Sequence, residues 1–288
     1  MKRKLLISLS ILILTFCIGV WLTGSILSAP ARTSIGDAPT DLAAENVQFQ
    51  SRSGANIKGW FIRGQTGAGA VILMHGNRAN RLSMLGRARF LANAGFSVLL
   101  FDFQAHGESS GDQITFGYLE SNDAQAAVEF MRAKAPGERI GVIGVSMGGA
   151  ATLLASPPLN VDAMVLEEVY STLDQAASNR LTSRLGGWSR ILTPLLTWQF
   201  RMRSGVSVDA LQPIQKVGEI AIPKLFIAGA QDRHTTLEES QRMFDAAAGP
   251  KELWIVEGAG HVDLHALKKE EYERRVLSFF FTRLKQPT

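Results

Sequence analysis

The run Gly144-Val145-Ser146-Met147-Gly148 sets a serine between small and glycine residues. A serine hydroxyl is a weak nucleophile at its ordinary pKa and attacks a carbonyl carbon only with a base beside it. The G-x-S-x-G spacing also supplies the other requirement, a sharp strand-to-helix turn that lifts the oxygen clear of the strand ends. Here the apolar run Ile140–Val145 leads in and Gly149-Ala150-Ala151-Thr152-Leu153-Leu154 leads out. Ser146 is therefore expected at a nucleophile elbow, with the N–H groups of a helix N-terminus aimed at the reacting centre.

Such a serine needs a base and a carboxylate to orient it, each at the end of a later strand. Ile227-Ala228-Gly229-Ala230-Gln231-Asp232 ends a strand in a turn bearing an acid, and Trp254-Ile255-Val256-Glu257-Gly258-Ala259-Gly260-His261 ends the next in a glycine-rich turn bearing a histidine. Asp263 is an alternative acid, but two residues from His261 it is expected to point elsewhere. His234 and His265 read as a surface-loop residue and a helix-start residue. A dinucleotide site is the rival use of the same stretch, with Glu167 or Glu168 as the ribose contact. Its glycines, Gly141, Gly144 and Gly148, do not have the G-x-G-x-x-G spacing.

The order Ser146…Asp232…His261 is that of the α/β-hydrolases. Across roughly residues 46–285 the chain resembles that superfamily, and within it the small-capped exported serine hydrolases of the ABHD13/Bem46 type. The resemblance implies an oxyanion hole made by two backbone N–H groups. One is that of Met147, just after the nucleophile. The other is that of Asn77 in His75-Gly76-Asn77-Arg78, which is similar to the family's short H-G-x motif. It makes His75 a brace for this loop and not the base. Phe101-Asp102-Phe103-Gln104-Ala105-His106-Gly107-Glu108-Ser109 resembles the run after the family's fourth strand, with Gln104-Ala105 in place of Arg-Gly. Asp102, His106 and Ser109 are then loop-bracing groups.

The elements that must position these residues are legible as a rhythm. Short apolar runs at Ala70–Met74, Val98–Phe101, Ile140–Val145, Ala163–Leu166, Lys224–Ala228 and Leu253–Val256 alternate with helix-period segments at Leu82–Ala94, Tyr118–Lys134, Met147–Ala155, Leu237–Ala247 and His265–Leu284. Buried strands alternating with helices predict an α/β class, with a mostly parallel central sheet flanked by helices. A hairpin-like start is expected around Ser53-Gly54. The rhythm breaks for about 55 residues between Glu168 and Lys224, too long for an unstructured loop. A small helical cap is expected over about residues 170–217. It carries Trp188, Ile191 and Trp198 among Arg180, Arg184, Arg190, Arg201 and Arg203, with no acid between the first and last arginine. A solvated helix face, contact with anionic lipid headgroups and recognition of an acidic substrate all fit that pattern.

The chain has 288 residues, enough for a substantial core. Its 46% hydrophobic and 19% charged residues exclude a disordered chain, and its one cysteine excludes a disulfide framework and a cysteine-based zinc site. The net charge of +4 invites a nucleic-acid partner, but four of the thirty basic residues, Lys2, Arg3, Lys4 and Arg32, lie in the first 32 residues without any acid. The remaining 26 balance the 26 acids, so no nucleic-acid partner is expected. From Leu5 to Leu27 no residue is charged, a length of 23 residues that suits a transmembrane helix. Residues 1–4 then form a cytoplasmic tail, 5–27 an anchor, 28–45 a linker and 46–288 the exported domain. A cleaved signal peptide with Ala29-Pro30-Ala31 as its processing site is the competing reading.

The expected function is a membrane-anchored, single-pass serine hydrolase of the carboxylic-ester class, cleaving esters, thioesters or related acyl substrates, with no cofactor and no metal. Its partners are a small acyl substrate and the membrane, through the N-terminal helix and the basic cap. A serine peptidase with the same elbow and triad order is the alternative within enzymes. An inactive hydrolase-fold binding module is the alternative outside them.

Overall fold

The computed structural model describes residues 2–285. Helix α1 (Lys2–Ser28) is followed by ten strands: β1 (Ala31–Arg32), β2 (Ala44–Gln50), β3 (Asn56–Ile62), β4 (Ala70–Met74), β5 (Ser97–Phe101), β6 (His106–Gly107), β7 (Ile140–Val145), β8 (Ala163–Glu167), β9 (Lys224–Gly229) and β10 (Lys251–Val256). Among them run α2 (Leu85–Asn93), α3 (Glu120–Lys134), α4 (Met147–Leu154), α5 (Leu173–Leu185), α6 (Thr193–Ser204), α7 (Pro213–Lys216), α8 (Leu237–Ala246), α9 (Leu264–Leu267) and α10 (Lys269–Leu284).

Eight strands form one sheet in the order β10-β9-β8-β7-β4-β5-β3-β2. The β2–β3 and β3–β5 pairs are antiparallel and the others parallel, so the mostly parallel sheet expected from the apolar runs is present. Alternation along β4 explains its burial on both faces. Ala70, Ile72 and Met74 join the core beneath α3 and α4, whereas Val71 and Leu73 join the core beneath α2 and α10. The chain goes from β4 outward to β5, then returns to place β7 on the other side of β4. That reversal opens a crevice at the carboxyl ends of β4 and β7, the usual ligand position in open α/β sheets.

Two elements depart from the periodicity. The last helical segment is broken at Lys268, whose φ of −130° separates α9 from α10, because the Asp263 carboxylate caps a short first turn through His265 and Ala266 N–H. Residues 28–45, expected as a loose linker, are strapped to the domain. β1 pairs with β6, Ala31 N–H donates to Ala105 O, and Ile35 and Gly36 N–H donate to the Glu108 carboxylate. A segment with that many fixed backbone partners is part of the domain's surface.

Beyond β8 the chain leaves the sheet as α5, a 3-10 stretch (Gly187–Leu192) and α6. Thr172 caps α5 by accepting from Gln175 N–H, and Gly205 ends α6 at a left-handed φ of 70°.

Candidate active site

The elbow is built by backbone sterics. Ser146 follows β7 directly with φ 49° and ψ −110°, a conformation that L-residues rarely adopt. Its N–H donates to Glu167 O at 2.7 Å, which ties the turn to the neighbouring strand. The turn closes only because its neighbours lack side chains. A Cβ on Gly148 would lie 2.3 Å from Met74 O, and one on Gly144 would lie 2.6 Å from the Gly149 Cα. Met147 is the first residue of α4, so its N–H is one of those a helix leaves without an internal acceptor.

The loop after β4 stands across the crevice. Among the described residues no acceptor engages the Asn77 N–H, while its neighbours are fixed. His75 is fully buried: Phe103 N–H donates to its Nε2 at 3.0 Å and its Nδ1 lies 2.8 Å from Gly76 O. Burial, with the neighbouring His106 ring adding, holds the His75 imidazole down at about 3. A ring so occupied and kept neutral can brace the loop and cannot serve as a base. His106 continues the brace by accepting from Arg78 N–H at 3.1 Å. Asp102 accepts from Arg81 N–H at 2.8 Å, pairs with the Arg81 guanidinium at 2.6 Å and accepts from Glu108 N–H at 3.0 Å. The Ser109 hydroxyl donates to Asp102 O at 2.6 Å.

The two remaining sequence candidates meet. His261 Nδ1 lies 2.7 Å from Asp232 Oδ2. The other carboxylate oxygen, Oδ1, accepts from His234 N–H at 2.7 Å and Thr235 N–H at 2.9 Å. Asp232 is buried, so three donors hold the carboxylate in one orientation and fix the imidazole through it. Asp263 points elsewhere, capping α9 and lying 3.0 Å from the Arg87 guanidinium.

Three neighbours carry more than the sequence assigned them. His234 is half-buried, with its ring 5.2 Å from that of His261. Burial and the positive charge of Arg180 hold its pKa below the usual histidine range. His265, in the first turn of α9 as expected, is buried against Phe90 with its Nε2 2.9 Å from Glu273 Oε1. Glu168, weighed only as a ribose ligand, sits at a φ of 50° with a carboxylate oxygen 3.7 Å from His261 Nδ1. Burial pushes its carboxyl up to about 9, and the charges of Asp232 and Glu167 add to the shift. It is therefore a neutral acid at neutral pH. Its place at the end of β8, beside the ends of β7 and β9, was the available signal.

Asp232, His234 and His261 offer ligand atoms within 4.8 Å of one another, as a metal site would. Both Asp232 oxygens are already engaged by the three donors above, so the set fits orientation of an imidazole better than coordination.

Ser146, Met147 and Asn77 line one cleft of about 260 Å³, walled by Phe116, Tyr170, Leu173 and Phe200 and by Arg180 and Arg184. The cleft brings the Ser146 hydroxyl and two backbone N–H groups together against apolar walls.

Residues 71–275 match the model of the alpha/beta hydrolase family. The chain is 26% identical over 235 residues to the Bacillus subtilis protein YqkD, covering 80% of this chain and 76% of that one. A thiohydrolase of Aspergillus aculeatus is 33% identical over 116 residues, 38% of this chain and 36% of its own. Among solved structures, an esterase of Pyrococcus furiosus superposes with a TM-score of 0.73 at 26% identity, covering 88% of this chain and 99% of the esterase. An esterase of Exiguobacterium antarcticum shares the fold with a TM-score of 0.62 at 18% identity, covering 82% and 99%.

Proposed function

The chain belongs to the alpha/beta hydrolase family, and from that premise we propose that it is a serine hydrolase of carboxylic esters and thioesters. Ser146 Oγ attacks the acyl carbon while His261 takes the proton. Asp232 holds the ring in the tautomer that keeps Nε2 free and stabilises the imidazolium. The Asn77 and Met147 N–H groups receive the oxyanion, each contributing on the order of 10²–10³ in rate. The alcohol or thiol leaves with the proton from His261, and water then releases the acid by the same route.

The 2.7 Å contact between His261 Nδ1 and Asp232, together with the elbow conformation of Ser146, carries this reading. The esterase likeness supports the ester, and the thiohydrolase relative keeps thioesters within the class. The small cap fits the ABHD13/Bem46 type that the sequence resembles, and the apolar cleft walls favour an acyl ligand. Labelling with a fluorophosphonate probe tests it: the wild-type chain is expected to label and Ser146→Ala to remain unlabelled. Equal labelling of the two overturns the mechanism.

We further propose that α1 is a retained anchor with the domain exported. One helix, Lys2–Ser28, is long and apolar enough to cross a membrane. The alternative processing site is tied down on both sides. Arg78 donates to Ile26 O and Ala29 O, and Ile114 N–H donates to Ser28 O. The intact mass of the membrane-extracted protein checks this, and a mature chain beginning near Arg32 would refute it.

A further inference from the structure

Helix α1 does more than precede the domain. Its end packs on the cap and into the cleft. Gln199 of α6 donates from Nε2 to Val20 O at 2.9 Å, and Arg203 donates to Trp21 O at 2.7 Å with its guanidinium 3.9 Å above the Trp21 ring. Gly24 is the buried residue of α1, because Gln199 occupies the place of its side chain: a Cβ there would lie 2.4 Å from Gln199 Cδ. Thr23, Gly24, Leu27 and Ser28 therefore stand in the wall of the cleft that holds Ser146.

Two further features converge on the same side. The cap leaves a row of large apolar residues in the open, with Trp188 62%, Ile191 74%, Trp198 61% and Met202 62% exposed, joined to α1 through α6. Exposed aromatics interleaved with Arg190 and Arg201 are the composition of a surface that lies in a bilayer interface. Inside the cleft, Arg180 and Arg184 form no ion pair with a carboxylate among the described residues, and burial alone would disfavour the Arg180 charge. The Asp232 charge favours the Arg180 cation without an ion pair, so the guanidiniums, which share the cleft lining with Arg78 and Arg203, leave a positive wall that suits an anion from the ligand.

We propose that the cleft is loaded sideways from the membrane, between α1 and the cap, with a single-chain acyl lipid whose anionic head group is received by Arg180 and Arg184. The proposal rests on the serine hydrolase reading and on α1 as a membrane span, and it names the substrate class of the same site. The last residues of a span reach the boundary between acyl chains and head groups, where the cleft wall formed by residues 23–28 then lies. Such a lipid can slide its chain between Leu27, Phe116 and Phe200 without crossing water. The reaction is ester hydrolysis: the acyl C–O bond breaks as the acyl group passes to Ser146, the head-group alcohol leaves with the serine proton by way of His261, and water then releases the free fatty acid.

The test uses the full chain in phosphatidylcholine vesicles with three substrates: lysophosphatidylglycerol, lysophosphatidylcholine and water-soluble p-nitrophenyl butyrate. Wild-type protein is expected to prefer the anionic lysolipid over the zwitterionic one. Arg180→Gln with Arg184→Gln is expected to lower that preference about tenfold. Gly24→Leu, which favours the helix itself and collides with Gln199, is expected to lower vesicle-lipid turnover relative to butyrate turnover about tenfold. Trp188→Ser with Trp198→Ser, outside the cleft wall, is expected to lower the same ratio. Fluorophosphonate labelling of each variant separates loss of fold from loss of loading.

Butyrate turnover that needs Ser146, with no lysolipid hydrolysis or with both ratios unmoved by these variants, overturns the lipid proposal and leaves the hydrolase reading standing. Lysolipid supplied as dispersed monomer to detergent-solubilised protein and cleaved as fast as in vesicles also overturns it. Butyrate turnover that survives Ser146→Ala overturns the hydrolase reading instead.

Discussion

The elbow and the cap are both wall of one cleft, yet they are made in opposite ways. Around Ser146 the geometry is held by backbone: a left-handed φ, glycines pressed on carbonyl oxygens, and an N–H bonded across to β8. Beneath it the Arg87–Glu167 pair is buried at 2.7 Å, with Tyr272 donating to the same carboxylate. Over it, the 3-10 stretch and α6 expose tryptophan, isoleucine and arginine to their surroundings. A region fixed by sterics has one conformation and suits chemistry that needs fixed distances. A region held on by side chains is free to take its surface from whatever it meets, and suits selection of the ligand.

The sharpest way to break this contrast is at the fixed side. Ser146→Ala is expected to lower kcat on a p-nitrophenyl ester by about 10⁴–10⁶ while leaving thermal stability near that of the wild type. Asp232→Asn leaves the shape in place but withdraws the acceptor that sets the His261 tautomer, and a fall of about 10⁴ in kcat is expected. Steady-state kinetics on the purified variants measure both. A drop below tenfold in either would mean that the fixed region is scaffold and not machinery.

The same region should answer in stability where the cap does not. Glu167→Leu would leave Arg87 buried with its remaining charged partner, Asp263, half-exposed. Breaking one side of a buried pair typically costs about 3–5 kcal/mol, to be read from urea or thermal unfolding.

Glu168 gives the comparison a pH axis. Its pKa of about 9 in the folded chain lies above the ordinary carboxylate value that it regains on unfolding. Between those values the folded state binds one more proton than the unfolded state. The stabilisation is complete below the unfolded pKa and is lost as pH rises through about 9. Within that window stability should fall with pH by up to about 1.4 kcal/mol per unit from this group. Glu168→Gln keeps a neutral hydrogen-bonding side chain and removes the proton. Its unfolding midpoint should decline less between pH 6 and pH 9 than that of the wild type. Parallel profiles would assign the pH dependence elsewhere.

What was legible in the sequence follows the same division. The sheet was readable because runs such as Ala70–Met74 and Ile140–Val145 are buried on both faces and must be apolar throughout. The meeting of Asp232 with His261 was readable because both lie in the short turns that follow neighbouring parallel strands, β9 and β10. Glu168 was misread because its role depends on the burial and on the charges of Asp232 and Glu167, which meet only in three dimensions. The strap over residues 31–36 was missed because its bonds are backbone to distant loops, which composition does not record. The break at Lys268 was missed because an aspartate cap two residues beyond His261 reads equally well as a candidate acid.

The smallest effect is the most pointed test of the cap. Ile191 is 74% exposed and Trp198 61%, so neither contributes much to packing in the folded domain. Ile191→Ser should change the unfolding free energy by less than about 0.5 kcal/mol, as exposed substitutions away from caps and cores do. The measurement is chemical denaturation in detergent micelles, compared with Glu167→Leu under the same conditions. If Ile191→Ser destabilised the domain as Glu167→Leu does, the cap would be a second packed core, and its apolar row would need no bilayer to explain it. A near-zero change instead leaves an isoleucine that the fold does not require. Its place on the cap, among arginines without acids, then follows from what the surface touches.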